Sequence, residues 1–97
     1  LKVVLDPAAH EELREVVLFY EDCREGLGQE LLASVEAAFG AIARHPNLWR
    51  QLSGRFRRYL VHRFPFGIIY ALENGTIYVA AVMHLKRKPG YWKSRKS

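Results

Sequence analysis

Asn74-Gly75 stands between two apolar runs, Ile68 to Leu72 and Thr76 to Met83, and no other feature narrows the fold so far. Both residues of an Asn-Gly link tolerate positive φ, the backbone that a two-residue turn needs to match the twist of two antiparallel strands. A tight β-hairpin is predicted here. Its second arm, Ile77-Tyr78-Val79-Ala80-Ala81-Val82-Met83, is apolar almost without a break, whereas a strand with one wet face would alternate. It is therefore predicted to be a central strand covered on both faces.

The remaining elements follow from periodicity. Leu1 to Leu5 is short, apolar and rich in β-branching, which predicts a strand that flanks the central one. It stops at Asp6-Pro7, an N-cap followed by proline at the first helical position. Ala9, Leu13, Val16, Val17 and Tyr20 then recur at helical spacing, with Glu11, Glu12 and Glu15 as acids suited to a helix N-terminus. Gly26 is predicted to close this helix. After Gly28 a second helix is predicted through Leu31, Val35, Ala38, Phe39 and Ile42, ending at His45-Pro46 because a residue before proline is pushed out of the helical region. Pro46 to Gly54 reads as a loop and Arg57 to Arg63 as a strand, broken by Phe64-Pro65-Phe66-Gly67. The order is strand, helical hairpin, then a three-strand antiparallel meander: an α+β fold of two layers in one domain over residues 1–97. The tail from Lys86 to Ser97 has no periodicity.

Of the 97 residues 49% are hydrophobic, enough for one modest core. No apolar run approaches the roughly 20 residues that span a bilayer, and the five residues before Asp6-Pro7 are too few for a signal peptide. No membrane association and a cytoplasmic location are expected. Cys23 is the only cysteine, and His10, His45 and His62 lie far apart without ligand spacing, so neither metal nor cofactor is expected. Cys23 reads as a packing residue. Charge is more directive: residues 1–49 hold four basic against nine acidic side chains, and residues 50–97 hold eleven basic against Glu73 alone. The second half should attract an acidic partner, either a polyanion or an acidic protein segment; the competing reading is a solvated face.

Several motifs line up in order along almost the whole chain. They are Asp6-Pro7-Ala8-Ala9 with Glu12-Leu13, Tyr20-Glu21, Gly26-Leu27-Gly28, Ile42 with His45-Pro46, and Arg57 to Phe66 with its Arg63-Phe64-Pro65-Phe66 turn. Ile69-Tyr70 and Ala81-Val82-Met83-His84 follow, leading to Arg87, Pro89 and Trp92. Together they resemble the RelE/ParE superfamily of toxins from type II toxin–antitoxin, or plasmid stabilisation, modules. The resemblance implies a cognate antitoxin as partner and one of two activities. One branch resembles ribosome-dependent messenger-RNA endonucleases that act without metal, through a proton-transfer group and fixed cations near the phosphate. Here Tyr59 and Val61 stand where that branch carries lysines, and Gly67 where it carries an arginine. Arg58, Arg63, His84 and Arg87 would have to form the catalytic set. The other branch resembles ParE, which poisons DNA gyrase by binding, and the Gly26-Leu27-Gly28 link, the Arg63 turn and the His84-to-Pro89 stretch are closer to it.

A ParE-like toxin is thus the first reading, with Lys86, Arg87, Trp92 and Tyr91 as target-binding residues beside His84. The endonuclease and an inactive homologue are the alternatives. Arg57, Arg63, Tyr70 and Lys88 are the residues expected to meet the antitoxin, whose acidic, extended segment suits a basic surface with an open strand edge. Strand geometry places Arg58, Leu60 and His62 on one face and Tyr59, Val61 and Arg63 on the other, so the arginines interleaved with aromatics do not all converge. Tyr91 and Trp92 read either as stacking groups or as cover for the core edge.

Overall fold

The computed structural model describes residues 1–95 as β1 (Lys2–Leu5), α1 (Pro7–Cys23), α2 (Leu27–Arg44), β2 (Arg50–Ser53), β3 (Phe56–Leu60), β4 (Phe66–Glu73) and β5 (Thr76–His84). Lys96 and Ser97, the end of the basic tail, lie outside the described residues. The strands form one sheet in the order β1-β5-β4-β3-β2, with β1 parallel to β5 and the other pairs antiparallel. Asn74 and Gly75 take φ of 49° and 77°, and Glu73 faces Thr76 across the turn, as a tight hairpin requires. β5 is an interior strand, flanked by β1 and β4, and is buried from Ile77 to Met83.

Two covers explain why β5 is apolar throughout. The helices bury one face of the sheet, with Ala9, Leu13, Leu31, Val35, Ala38 and Ile42 packed on Ile68, Tyr70, Ile77, Val79 and Val82. The tail buries the other: Trp92, 1% exposed, lies among Phe56, Ile69, Ala71, Tyr78, Ala81 and Met83, with Tyr91 and Leu52 at its margin. A bulge separates the two sets. Ile69 pairs with Ala81 and Tyr70 with Val79, so Ala80 is an extra residue on β5, and Ala80 and Ala81 both turn to the tail side.

Local chemistry sets the helix boundaries. Asp6 caps α1 by accepting the Ala8 N–H at 2.8 Å on Oδ1, while its Oδ2 accepts the Tyr78 hydroxyl and so ties the cap to β5. That phenol is buried, and burial first, then the Asp6 contact, drives its pKa upward. Glu11 and Glu12 fall beyond the first turn, which holds no acid, so they do not serve the helix dipole as the sequence suggested. Gly26 also differs from expectation. α1 is capped by Arg24, and Gly26, at φ 86°, is the N-cap of α2, which begins at Leu27. Glu21 supplies the missing acceptor: its carboxylate takes the Gly26 and Gly28 N–H groups at 2.8 and 2.9 Å. Gly28 has to be glycine because a Cβ there would stand 2.5 Å from the Val17 carbonyl oxygen.

The sequence placed a loop over Pro46 to Gly54, but Arg50–Ser53 forms edge strand β2, paired with β3 from Arg50↔Arg58 onward. β3 in turn is shorter than the predicted Arg57-to-Arg63 strand. It ends at Leu60 because Arg63 adopts φ 74° and turns the chain, with Val61 N–H bonded to Phe66 O at 2.9 Å.

Candidate functional site

β1 matches β5 only as far as Val79, whose carbonyl accepts the Asp6 N–H at 2.8 Å. Beyond it, at the bulge, the outer edge of β5 faces α1 with backbone groups that must be paired. Side chains supply the partners: Glu12 Oε1 accepts the Val82 N–H at 3.0 Å, and Arg95 Nη1 donates to the Ala80 carbonyl at 3.0 Å. The same Glu12 oxygen lies 3.1 Å from Arg95 Nη1. Glu12 Oε2 is buried without a hydrogen bond, and the Arg87 guanidinium lies 3.6 Å from it. The Arg87 guanidinium lies over the Tyr91 ring at 3.6 Å and that of Arg95 at 5.0 Å, cation–π contacts that fold the tail on itself. The Tyr91 hydroxyl is pushed up to about 12, first by burial and then by the Glu12 charge, with Arg87 and Arg95 opposing.

Outward from this cluster the tail is basic and exposed at Lys86, Arg87, Lys88 and Lys93. Arg87, Lys88, Pro89, Gly90 and Tyr91 line an open cleft of about 490 Å³. Arg87 thus has two sides. Its inner side meets a carboxylate that is 15% exposed, while its own side chain is 54% exposed.

The residues singled out from the sequence are distributed unevenly around this rim. Lys86, Arg87, Lys88 and Tyr91 come together there, whereas Trp92 lies beneath it in the core, T-stacked on Phe56 at 4.9 Å. His84 closes β5 with its ring edge-on to Phe66 at 5.2 Å, on the helix side, and its Nδ1 accepts the Lys86 N–H at 3.0 Å. That bond engages the Nδ1 lone pair of His84. Arg58 pairs with Ile69 on the tail side, and its aliphatic stem lies over Gly67, where a Cβ would meet Cγ and Cδ at 3.1 Å. The space an arginine at residue 67 would need is taken by Arg58. Arg63 is engaged elsewhere, 3.0 Å from Glu30 Oε1 and 5.3 Å from the centroid of Phe64. His84 and Arg58 therefore fall on opposite faces, and Arg63 and Arg87 each face a different glutamate.

Among the residues expected to meet an antitoxin, Tyr70 is completely buried and is corrected to a core residue. Its hydroxyl donates to the Pro46 carbonyl at 2.7 Å, and burial pushes it up to about 12, opposed by Arg57. Arg57 is half-buried and donates to the Trp49 carbonyl at 2.8 Å, so the two side chains pin the loop between α2 and β2. Arg63 and Lys88 are exposed. Glu12 and Arg95 were not singled out as site residues, although Glu12 lies within the buried stripe of Ala9, Leu13 and Val16, and a carboxylate on such a stripe demands a partner. His10, His45 and His62 are exposed and separate, and Cys23 is exposed on the last turn of α1.

The family model described as ParE toxin of type II toxin-antitoxin system, parDE, matches residues 3–89. Among solved structures, the chain is similar to one from the chromosomal ParDE TA system from P. aeruginosa, with a TM-score of 0.75 at 12% identity, covering 89% of this chain and 97% of that one. No curated protein matches the sequence. The family match spans β1 through the start of the basic tail, including Lys86, Arg87 and Lys88 of the rim, and the chain belongs to the ParE toxin family of type II toxin–antitoxin systems.

Proposed function

We propose that this chain is a cytoplasmic toxin that inhibits growth by binding DNA gyrase through the rim of Lys86, Arg87, Lys88 and Tyr91, and that a cognate antitoxin neutralises it. The observation that carries the reading is the outward-facing Arg87, backed by Glu12 and flanked by exposed lysines, beside an open cleft. Such a cluster steers and orients an acidic partner, a binding role that asks for no proton transfer. The endonuclease reading would need a base and several cations around one phosphate, whereas His84 has its Nδ1 occupied and Arg58 lies across the sheet from it. No helix among the described residues is long and apolar enough to cross a membrane.

For the antitoxin, the fitting surface is the outer edge of β2, the last strand of the sheet, in the basic half of the chain. An extended acidic segment would add there as a further strand, its carboxylates near exposed Arg50. The test is induction of the chain without antitoxin, with plasmid supercoiling and messenger-RNA integrity followed in the same cultures. Loss of supercoiling before any change in messenger RNA, relieved by Arg87→Ala, is the expected result. Messenger-RNA cleavage appearing first would overturn the gyrase reading.

A further inference from the structure

Glu12 holds an unusual combination of contacts for a residue on the second turn of a helix. One carboxylate oxygen is fully used, by the Val82 N–H at 3.0 Å and the Arg95 guanidinium at 3.1 Å. The other is buried, makes no hydrogen bond, and has the Arg87 guanidinium 3.6 Å away. At 3.6 Å the Arg87 guanidinium is held to this oxygen by charge, while its own donors stay free to turn outward. The tail closes the arrangement from the other side. Tyr91 offers its ring face to Arg87 at 3.6 Å, and the tail that carries Tyr91 is fixed by Arg95 on Ala80 O and by Trp92 in the core. Arg87 is thereby clamped between a carboxylate and an aromatic plane.

We infer that Glu12 is a positioning residue of the target-binding rim: it orders Arg87 before any partner arrives. The inference rests on the reading of the rim given above, which makes Arg87 a contact residue. A long arginine side chain ordered in advance does not lose that freedom on binding, so affinity gains by the corresponding factor. Removing the Glu12 charge should weaken target binding without altering any group that touches the target.

The test has two arms on the purified chain. In the first, ¹⁵N relaxation of the Arg87 Nε–Hε group is compared between wild type and Glu12→Gln, an isostere that can still accept the Val82 N–H. Arg87 is expected to be ordered in wild type and as mobile as exposed Arg50 in the variant; equal order in both would overturn the inference, whatever the target is. Should Glu12→Gln fail to fold, Glu12→Asp decides the same point, since a carboxylate withdrawn by one methylene cannot span from Val82 N–H to Arg87. In the second arm, half-inhibition of gyrase supercoiling is measured for wild type, Glu12→Gln, Arg87→Ala and the double variant. Glu12→Gln is expected to raise the concentration required about three- to tenfold, the cost of ordering one long side chain. The double variant should match Arg87→Ala, because Glu12 acts through that arginine. Additive losses, or a Glu12→Gln chain as potent as wild type, would overturn the inference while leaving the rim intact. Wild-type chain that leaves gyrase untouched would instead sink the proposed function, and the relaxation arm would still decide on Glu12.

Discussion

Trp92→Ala separates a tail that is core from a tail that is only a surface appendage. Trp92 is 1% exposed and packs on Phe56, Ile69, Ala81 and Met83, so the substitution removes an indole from a filled interior and leaves a cavity under the second face of the sheet. Truncations of buried Phe and Trp to Ala cost about 3–5 kcal/mol, while a rim tryptophan would cost less than about 0.5 kcal/mol. Against a total stability of about 5–15 kcal/mol for a domain, the larger figure is a substantial fraction. Each kcal/mol moves the midpoint of a chain this size by about 4–8 °C, so thermal unfolding followed by far-ultraviolet circular dichroism should shift down by at least about 12 °C. Trp92→Phe should lose much less, since a ring remains to meet Phe56 and the indole Nε1 it removes is buried without a partner. A Trp92→Ala midpoint within about 2 °C of wild type would refute the assignment of the tail to the core.

Gly28→Ala forces a Cβ to 2.5 Å from Val17 O, a backbone atom that cannot swing aside. It should destabilise the chain by about 1–3 kcal/mol or more in urea unfolding, and an unchanged midpoint would show that the α1–α2 contact is looser than drawn. Glu21→Ala strips the acceptor from the Gly26 and Gly28 N–H groups and should cost about 0.5–2 kcal/mol in the same assay. Tyr70 and Tyr91 both have hydroxyls held up to about 12, so the unfolded chain releases those protons first and stability is full below about pH 10 and falls as pH rises toward 12. Tyr70→Phe should therefore flatten the alkaline loss of stability measured by urea unfolding between those pH values, while lowering stability at neutral pH through loss of the Pro46 bond. An alkaline profile identical to wild type would contradict the assignment.

What could be read in advance depended on whether a residue's role was local. The Asn74-Gly75 turn, the Asp6-Pro7 cap and the stripes Ala9-Leu13-Val16-Val17-Tyr20 and Leu31-Val35-Ala38-Phe39-Ile42 are local signals, and all of them appear where expected. β2 was missed because Arg50-Gln51-Leu52-Ser53 is short and mostly polar, and an edge strand needs only one neighbour, here β3. Gly26 was misassigned because a glycine between two helices serves the end of one and the start of the other equally in sequence. The partner that decides, Glu21, reaches it from five residues away. At the site, Lys86, Arg87 and Lys88 were legible as a charge run. Tyr70 reads as a surface residue and Trp92 as either a stacking group or cover for the core edge; both belong to the core, because aromatic bulk in a small chain is first a source of core. Glu12 was the hardest case, since its partners Val82, Arg87 and Arg95 are brought to it only by the parallel return of the chain from β1 to β5.

The opposite charges of the two halves meet inside the molecule as well as outside it. Glu30 lies against Arg63, and Glu12 against Arg87 and Arg95, so acids carried by the helices neutralise cations carried by the turn and the tail. The Glu30 to Arg63 pair is exposed on both sides and contributes little to stability. The Glu12 pairs differ because the carboxylate is mostly buried, and removing a partner would leave its charge inside. That difference sorts the basic half into two sets. Arg57 and Arg95 spend their donors on Trp49, Glu12 and Ala80 and serve the fold, while Arg63 meets Glu30 only at the surface. Lys86, Lys88, Lys93 and Arg50 remain exposed, and Arg87 belongs to both sets, neutralised behind and open in front. A field from so few cations gathered at one end of a sheet is directional, and directional charge governs which face of a partner is met first more than how tightly it is finally held.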